Sequence, residues 1–290
     1  MQFTAPRTAP LMELLQEQLP DSPKQRIKNM LKHATLLVDG KPLANPSLEV
    51  AAGSKVEIRK GSAPQKQQRT PFPVHYEDDQ LLIVEKPAGL LTVNQSKTPE
   101  TSLYKEIFDW LRTRSGGRQR PYIVHRLDRE VSGLLIFAKS EEVQEQLKEN
   151  WQEVEKRYYA LVHGAPDRKE GTIHTWLQED ERQRVHVVQD ETPEAKEAIT
   201  HFREVEHFRN YSLLEIELET GRKNQIRVHL AHIGCPIAGD WRYGAPKIEK
   251  RPIHLLAYQL RLPHPVSGKV IEAEIKLPKD FLKLAEEKQR

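Results

Sequence analysis

Residues 125–140 read HRLDREVSGLLIFAKS: an acid set among arginines, a Ser-Gly pair, and then five apolar residues, Leu134-Leu135-Ile136-Phe137-Ala138. An apolar run this short, opened by a glycine, reads as a strand. Leu81–Val84, Tyr158–Val162 and Leu213–Glu219 are further short β-rich or alternating runs. Val143, Leu147, Trp151 and Val154 recur at helical spacing, as do Ile226, Leu230 and Ile233. Strand-rich runs with scattered helices predict an α+β fold, without a regular βαβ alternation.

Asp128 stands at the mouth of the apolar strand. Partial burial there raises a carboxyl pKa and neighbouring arginines lower it, so the aspartate stays ionised if the arginines dominate. A turn-forming Asp in a surface salt bridge is the commoner use of the same residues. His125-Arg126-Leu127-Asp128 has a superficial likeness to a kinase catalytic loop, but the order is HRLD and no glycine-rich loop precedes it. Phosphate-binding GxxxxGK[ST], GxGxxG, HExxH and GxSxG are absent, which argues against nucleotide-dependent and zinc-hydrolase chemistry.

A second segment, Thr220 to Gly234, predicts a helix that begins after Gly221 and ends at Gly234, with Arg227 off its apolar stripe. His229 and His232 have metal-ligand spacing, but no third ligand accompanies them in the segment. Structural or RNA-contacting histidines are the expectation, and no metal is expected.

The chain has 290 residues, room for about two domains, with 45 Lys and Arg against 42 Asp and Glu. A mean hydropathy of -0.69 together with 37% hydrophobic residues excludes a fibrous or wholly disordered chain. No stretch approaches the roughly 18 apolar residues of a membrane span, the N-terminus has no secretory pattern, and a single cysteine, Cys235, precludes an internal disulfide. A cytoplasmic protein with no membrane partner is therefore expected.

Charge is unevenly placed. Arg112, Arg114, Arg118, Arg120, Arg126 and Arg129 fall within eighteen residues that contain one acid. Residues 1–60 carry nine Lys and Arg against six acids. That segment reads as a small α/β unit: a helix with Leu11, Leu14, Leu15 and Leu19, and a second with Ile27, Met30 and Leu31. Strands at Thr35–Val38 and Lys55–Ile58 flank an Asp39-Gly40 turn. Lys24, Arg26, Lys28 and Lys32 suit a nucleic-acid surface and equally suit a solvated helix face. The polar, proline-bearing stretch around 61–73 reads as a linker, giving domains 1–62 and 74–290 joined by 63–73.

Across residues 74–290 the chain resembles the RluA-type family of RNA pseudouridine synthases. The resemblance is carried by HRLDREVSGLLIFAKS (125–140), KRYYALVHG (156–164) and LETGRKNQIRVHLAHIGCPIAGDWRYG (218–244), extended by Tyr76–Asp79, Leu82–Gly89 and His254–Pro265. Residues 11–60 are similar to the alpha-L RNA-binding motif of the ribosomal S-four type, with Ala34 and Asp39 where that motif often has glycine and asparagine. The resemblance implies a catalytic domain built on a large mixed, mainly antiparallel sheet with flanking helices, an N-terminal α/β RNA-binding domain, and a monomer.

The resemblance further implies isomerisation of uridine to pseudouridine in structured RNA without a cofactor, on ribosomal RNA in preference to transfer RNA. Asp128 corresponds to the catalytic aspartate, Tyr158 to the tyrosine of the K-x-Y motif and Arg227 to the arginine of the Q-I-R-V-H motif. RNA contact would fall to the basic side chains at 24–32 and 112–129 named above. Val131 and Lys223-Asn224 depart from the common family residues, and neither departure is expected to touch the three chemical positions. The rival reading is a non-catalytic RNA-binding or ribosome-assembly factor on the same fold, for which Asp128, Tyr158 and Arg227 would be needless as a set. A metal-dependent nuclease or hydrolase lacks its ligand cluster.

Overall fold

The computed structural model describes residues 2–20, 22–23, 27, 34–42, 49–60, 70–94, 100–247 and 252–287. Lys24, Arg26, Lys28 and Lys32, most of the second helix expected from the sequence, and most of the 61–73 stretch lie outside these residues. Contacts divide the chain into two units, Met1–Thr70 and Pro71–Arg290.

In the first unit, strands β1 (Gln2–Thr4), β2 (Ala9–Pro10), β3 (Ala34–Val38), β4 (Lys41–Pro42), β5 (Glu49–Val50) and β6 (Lys55–Lys60) accompany helix α1 (Leu11–Gln18). β1, β6, β3 and β4 form a sheet in that order, and β2 pairs β5. Asp39 and Gly40 both take positive φ, as a two-residue turn matched to strand twist requires, and they close the β3–β4 hairpin. Leu11, Leu14 and Leu15 of α1 pack with Val50, Val56 and Ile58 in this unit's own core.

The second unit begins with β7 (Val74–Glu77), β8 (Leu81–Lys86), α2 (Leu103–Ser115), β9 (Tyr122–Ile123), β10 (Ser132–Ala138) and α3 (Glu141–Glu149). It continues with β11 (Glu155–His163), β12 (Glu170–Glu179), β13 (Val185–Val188), β14 (Lys196–His207) and β15 (Tyr211–Leu218). It ends with α4 (Gln225–His232), β16 (Leu255–Pro263), β17 (Val270–Glu274) and α5 (Lys283–Glu287). All these strands join one sheet of order β13-β12-β14-β15-β11-β16-β10-β8-β7, with β17 beside β16 and β9 beside β10. The fold is α+β, dominated by an antiparallel sheet. Phe72, placed in the linker by the sequence, is buried in this unit and meets Trp110 edge-on at 5.6 Å.

The apolar run of β10 is explained by burial on both faces. Leu135 and Phe137 join Leu82, Val84, Ala160 and Val162 on the face packed with Leu103, Ile107 and Leu111 of α2. Leu134, Ile136 and Ala138 join Leu81 and Ile83 on the other, packed with Val143 and Leu147 of α3. Ser140 caps α3, accepting from the Val143 N–H at 3.3 Å. The helical pattern predicted to run on to Val154 stops at Glu149, and a 3-10 turn (Trp151–Glu153) leads into β11.

One pairing departs from the antiparallel rule. β10 runs parallel to β16, with Ser132 opposite Leu256 and Gly133 opposite Ala257. The strands approach so closely that a Cβ at Gly133 would lie 2.3 Å from the Ala257 carbonyl oxygen, and Gly133 also holds a φ of +126° that side-chain-bearing residues rarely adopt. Across the next pairing a register shift sets Tyr158 of β11 opposite the same Ala257, skipping Tyr258. Gly133, Ala257 and Tyr158 therefore form one row across the sheet.

Gly133→Ala combines overpacking with backbone strain and should cost about 3 kcal/mol or more. Urea unfolding of the native and substituted proteins checks this: the midpoint should fall sharply on substitution, and an unchanged midpoint would mean that the β10–β16 approach is looser than described.

Candidate active site

The Asp128 loop enters β10 and is fixed to the sheet from below. The Thr92 hydroxyl donates to the Leu127 carbonyl at 2.7 Å, and the Gly89 N–H donates to the Arg129 carbonyl at 2.7 Å. Lys86, fully buried at the end of β8, donates to the carbonyls of Pro87 (2.9 Å), Leu90 (2.8 Å) and Arg129 (3.2 Å). Burial lowers the Lys86 pKa to about 8, against the opposing charges of Asp128 and Glu130. His125, just upstream, accepts from the Ile136 N–H through Nε2 (3.1 Å) and lies over Trp151. Burial, then the charge of Lys156, pushes its pKa down to about 3. A histidine that remains neutral and holds a strand amide is a structural one.

Helix α4 supplies the other side. The sequence placed Arg227 off an apolar stripe, but Gln225 through Leu230 are all buried, so this helix has no solvent face in that stretch. Its polar members are satisfied internally, as buried polar groups must be. The Gln225 amide donates to the Ile199 carbonyl and the Thr200 hydroxyl, both at 2.9 Å. His229 pairs Thr200 through Nδ1 (2.9 Å) and Thr175 through Nε2 (3.0 Å), and burial, with His232 and His174 nearby, lowers its pKa to about 4. These bonds lock α4 onto β12 and β14.

Arg227 is thereby aimed into a cleft between α4 and the Asp128 loop. Its Nε and one terminal nitrogen donate to the two oxygens of Asp240, at 2.7 and 2.9 Å. The other terminal nitrogen donates to Asp128 Oδ2 (3.1 Å) and Asn224 Oδ1 (3.2 Å), and lies 3.7 Å from Glu130. Tyr243 lies under the guanidinium at 5.0 Å and accepts a hydrogen bond from the Asn224 amide at 2.9 Å. Burial opposes the arginine's charge, but the bonds and charge of Asp240 outweigh it and raise the pKa. Asp240 is 1 % exposed, whereas the Asp128 side chain is 32 % exposed. One carboxylate therefore anchors the arginine, and the other faces the cleft. Tyr158, buried on the cleft wall, has its pKa raised by burial and then by the charge of Asp128.

Asp128, Tyr158 and Arg227 thus converge on one cleft. Arg126 lines it as well, exposed. Arg129 is exposed, with Nε donating to the Gly89 carbonyl (3.0 Å) and a terminal nitrogen to Glu100 (2.5 Å). The remaining arginines stand apart, because Tyr122 pairs Ala138 at the end of β10 remote from the Asp128 loop. Arg112 and Arg118 are exposed there, and Arg120 rests on Tyr122. Arg114 is committed to Glu77 by two hydrogen bonds and covers the Trp110 ring at 4.1 Å, so it is a structural ion pair and not an available phosphate contact. Asn224, expected to be remote from the chemical positions, bonds Arg227 directly. Asp240, the anchor that the sequence reading did not single out, lies in the quoted GDWRYG stretch; a buried arginine demands such a carboxylate.

A solved human structure, RNA pseudouridylate synthase domain containing 4, covers 72% of this chain and 90% of its own at a TM-score of 0.61 and 24% identity. The fold is therefore that of a pseudouridylate synthase domain. The family model described as RNA pseudouridylate synthase matches residues 80–232. The chain is 33% identical to an uncharacterised RNA pseudouridine synthase of Synechocystis, over 93% of this chain and 86% of that protein. It is 32% identical to the ribosomal large subunit pseudouridine synthase D of Escherichia coli, over 95% of this chain and 89% of that one. The chain belongs to the RNA pseudouridylate synthase family and is an RNA pseudouridine synthase, an enzyme that isomerises uridine in RNA.

Because Asp240 and Arg227 are both buried, removing one strands the other's charge. Asp240→Ala should cost about 3–5 kcal/mol, and Arg227→Leu with Asp240→Leu together should cost much less than the sum of the single changes. A double-mutant cycle by thermal unfolding tests this; additive losses would mean that the pair is not coupled.

Proposed function

We propose that the chain converts uridine to pseudouridine in large-subunit ribosomal RNA, with Asp128 as the catalytic carboxylate, Arg227 as its positioning partner and Tyr158 as the wall against which the base packs. The observation that carries this reading is the Asp128 carboxylate held through Oδ2 by a buried, anchored arginine. Among the described residues its Oδ1 has no hydrogen-bond partner, so one oxygen is fixed and the other is available to substrate. The likeness to the Escherichia coli ribosomal large subunit pseudouridine synthase supports the RNA class. The basic N-terminal unit fits an additional grip on that RNA.

The isomerisation breaks the glycosidic bond to nitrogen, turns the uracil, and joins carbon 5 to the ribose; the carbon 5 hydrogen leaves as a proton and the freed nitrogen takes one up. No electrons are exchanged with another molecule. The target atoms lie inside an RNA helix, so the nucleotide has to be unpaired or flipped out, at a cost of about a few kcal/mol. Asp128 attacks or helps eject the base, and Arg227 holds it aimed and charged. Tyr158 suits packing better than proton abstraction: burial and the adjacent carboxylate both disfavour the phenolate that a base would need.

Asp128→Asn preserves shape and removes charge. Pseudouridine formation in a large-subunit RNA transcript should fall by at least about a hundredfold, with RNA affinity held within about threefold. Retained turnover would remove Asp128 from the mechanism, and modification of transfer RNA alone would overturn the substrate assignment. If a Tyr158 phenolate were the reactive form, turnover would rise about tenfold between pH 6.5 and 7.5. A rise of less than about twofold is the expected profile.

A further inference from the structure

Trp241 is 63 % exposed, the one tryptophan among the large exposed apolar side chains of the described residues. It is the first residue of a 3-10 turn (Trp241–Tyr243), between the carboxylate that anchors Arg227 and the ring that lies beneath it. The turn is rigid. The Asp240 carbonyl accepts from the N–H groups of Tyr243 (3.0 Å) and Ala245 (3.2 Å), and a Cβ on Gly239 would meet the Pro252 carbonyl at 2.7 Å. Trp241 is therefore carried beside the catalytic cleft on a backbone that cannot move without disturbing Arg227.

One cation lies against this ring and others lie on or beside its turn. Lys247 Nζ lies 6.0 Å from the ring centre, and Arg242 is exposed on the same turn. Arg242 reaches the carbonyl of Gln183 at 3.4 Å, and Arg184 lies over Tyr243 at 5.6 Å. Among the described residues, none of Arg184, Arg242 and Lys247 has a carboxylate at ion-pairing distance. An exposed indole flanked by unneutralised cations matches an unpaired nucleotide: the ring accepts the base by stacking and the cations meet its phosphates. A protein partner with an apolar surface would not call for the unpaired cations.

We propose that Trp241 is a stacking platform for an unpaired base neighbouring the target uridine, with Arg242 and Lys247 contacting its phosphates. This rests on the reading of the Asp128 cleft as the site of RNA modification. A flanking base held in this way stays clear of the duplex while the target nucleotide is out of it. Stacking tolerates any base, so the platform selects for single-strandedness around the target and not for sequence.

The full-length protein and its Trp241→Ala and Trp241→Phe variants should be titrated with poly(U) and, as a base-free polyanion, with inorganic polyphosphate, following tryptophan fluorescence and filter binding. Poly(U) should quench the emission of the native protein. Its affinity should fall about tenfold for Trp241→Ala and recover most of that for Trp241→Phe, while polyphosphate affinity stays unchanged in both. Equal affinity of Trp241→Ala and the native protein for poly(U), a parallel loss of polyphosphate binding, or no poly(U) binding by the native protein would each overturn the platform. Pseudouridine formation in the ribosomal transcript, measured alongside, separates the two readings: a native protein that binds poly(U) through Trp241 but forms no pseudouridine there upholds the platform and sinks the substrate.

Discussion

A guanidinium buried beneath the Asp128 cleft is the constraint around which the larger unit is organised. Removing Arg227 from water is costly, and only a dedicated carboxylate with matching two-point geometry compensates it. Asp240 fulfils that requirement out of solvent, which leaves the arginine's remaining donors for the Asp128 loop. The division between an anchoring acid and one that faces the cleft depends on both being placed to within hydrogen-bond tolerance. Placement on one side comes from α4, locked to β12 and β14 through Gln225 and His229. On the other it comes from Lys86 and Thr92, which hold the backbone on either side of Asp128.

Much of this was legible in the residues. The apolar run 134–138 reads as a strand through its shortness and the glycine that opens it, although burial on both faces removes the alternation that marks a half-buried one. The triplet of Asp128, Tyr158 and Arg227 was reachable through ordered motifs, and the structure brings the three together. What escaped has physical causes. α4 carries Gln, Arg and His at buried positions, and a pattern built on apolar spacing takes such residues for a solvent face until their partners are known. β14 escaped because it spends much of its length exposed, and its charged side chains pair with β15 across the sheet, as Arg203 does with Glu215 at 2.6 Å. Arg114 illustrates the opposite error: a cation counted toward RNA is neutralised by Glu77, a residue 37 positions away that only the fold brings near.

The row formed by Gly133, Ala257 and Tyr158 has a consequence for how the enzyme comes into being. β10 is complete by residue 138, yet the neighbour that separates it from β11 is β16, which starts at Leu255. Asp128 and Arg227 themselves lie 99 positions apart. During synthesis, the first half of the large sheet must wait, with Ser132 and Gly133 of β10 unpaired on the edge that β16 will take, until nearly the whole chain has left the ribosome. Long-range closure of this kind is slow, and exposed strand edges invite wrong partners. By the same arrangement the cleft shared by Asp128, Tyr158 and Arg227 gains its Leu255 wall only when β16 arrives.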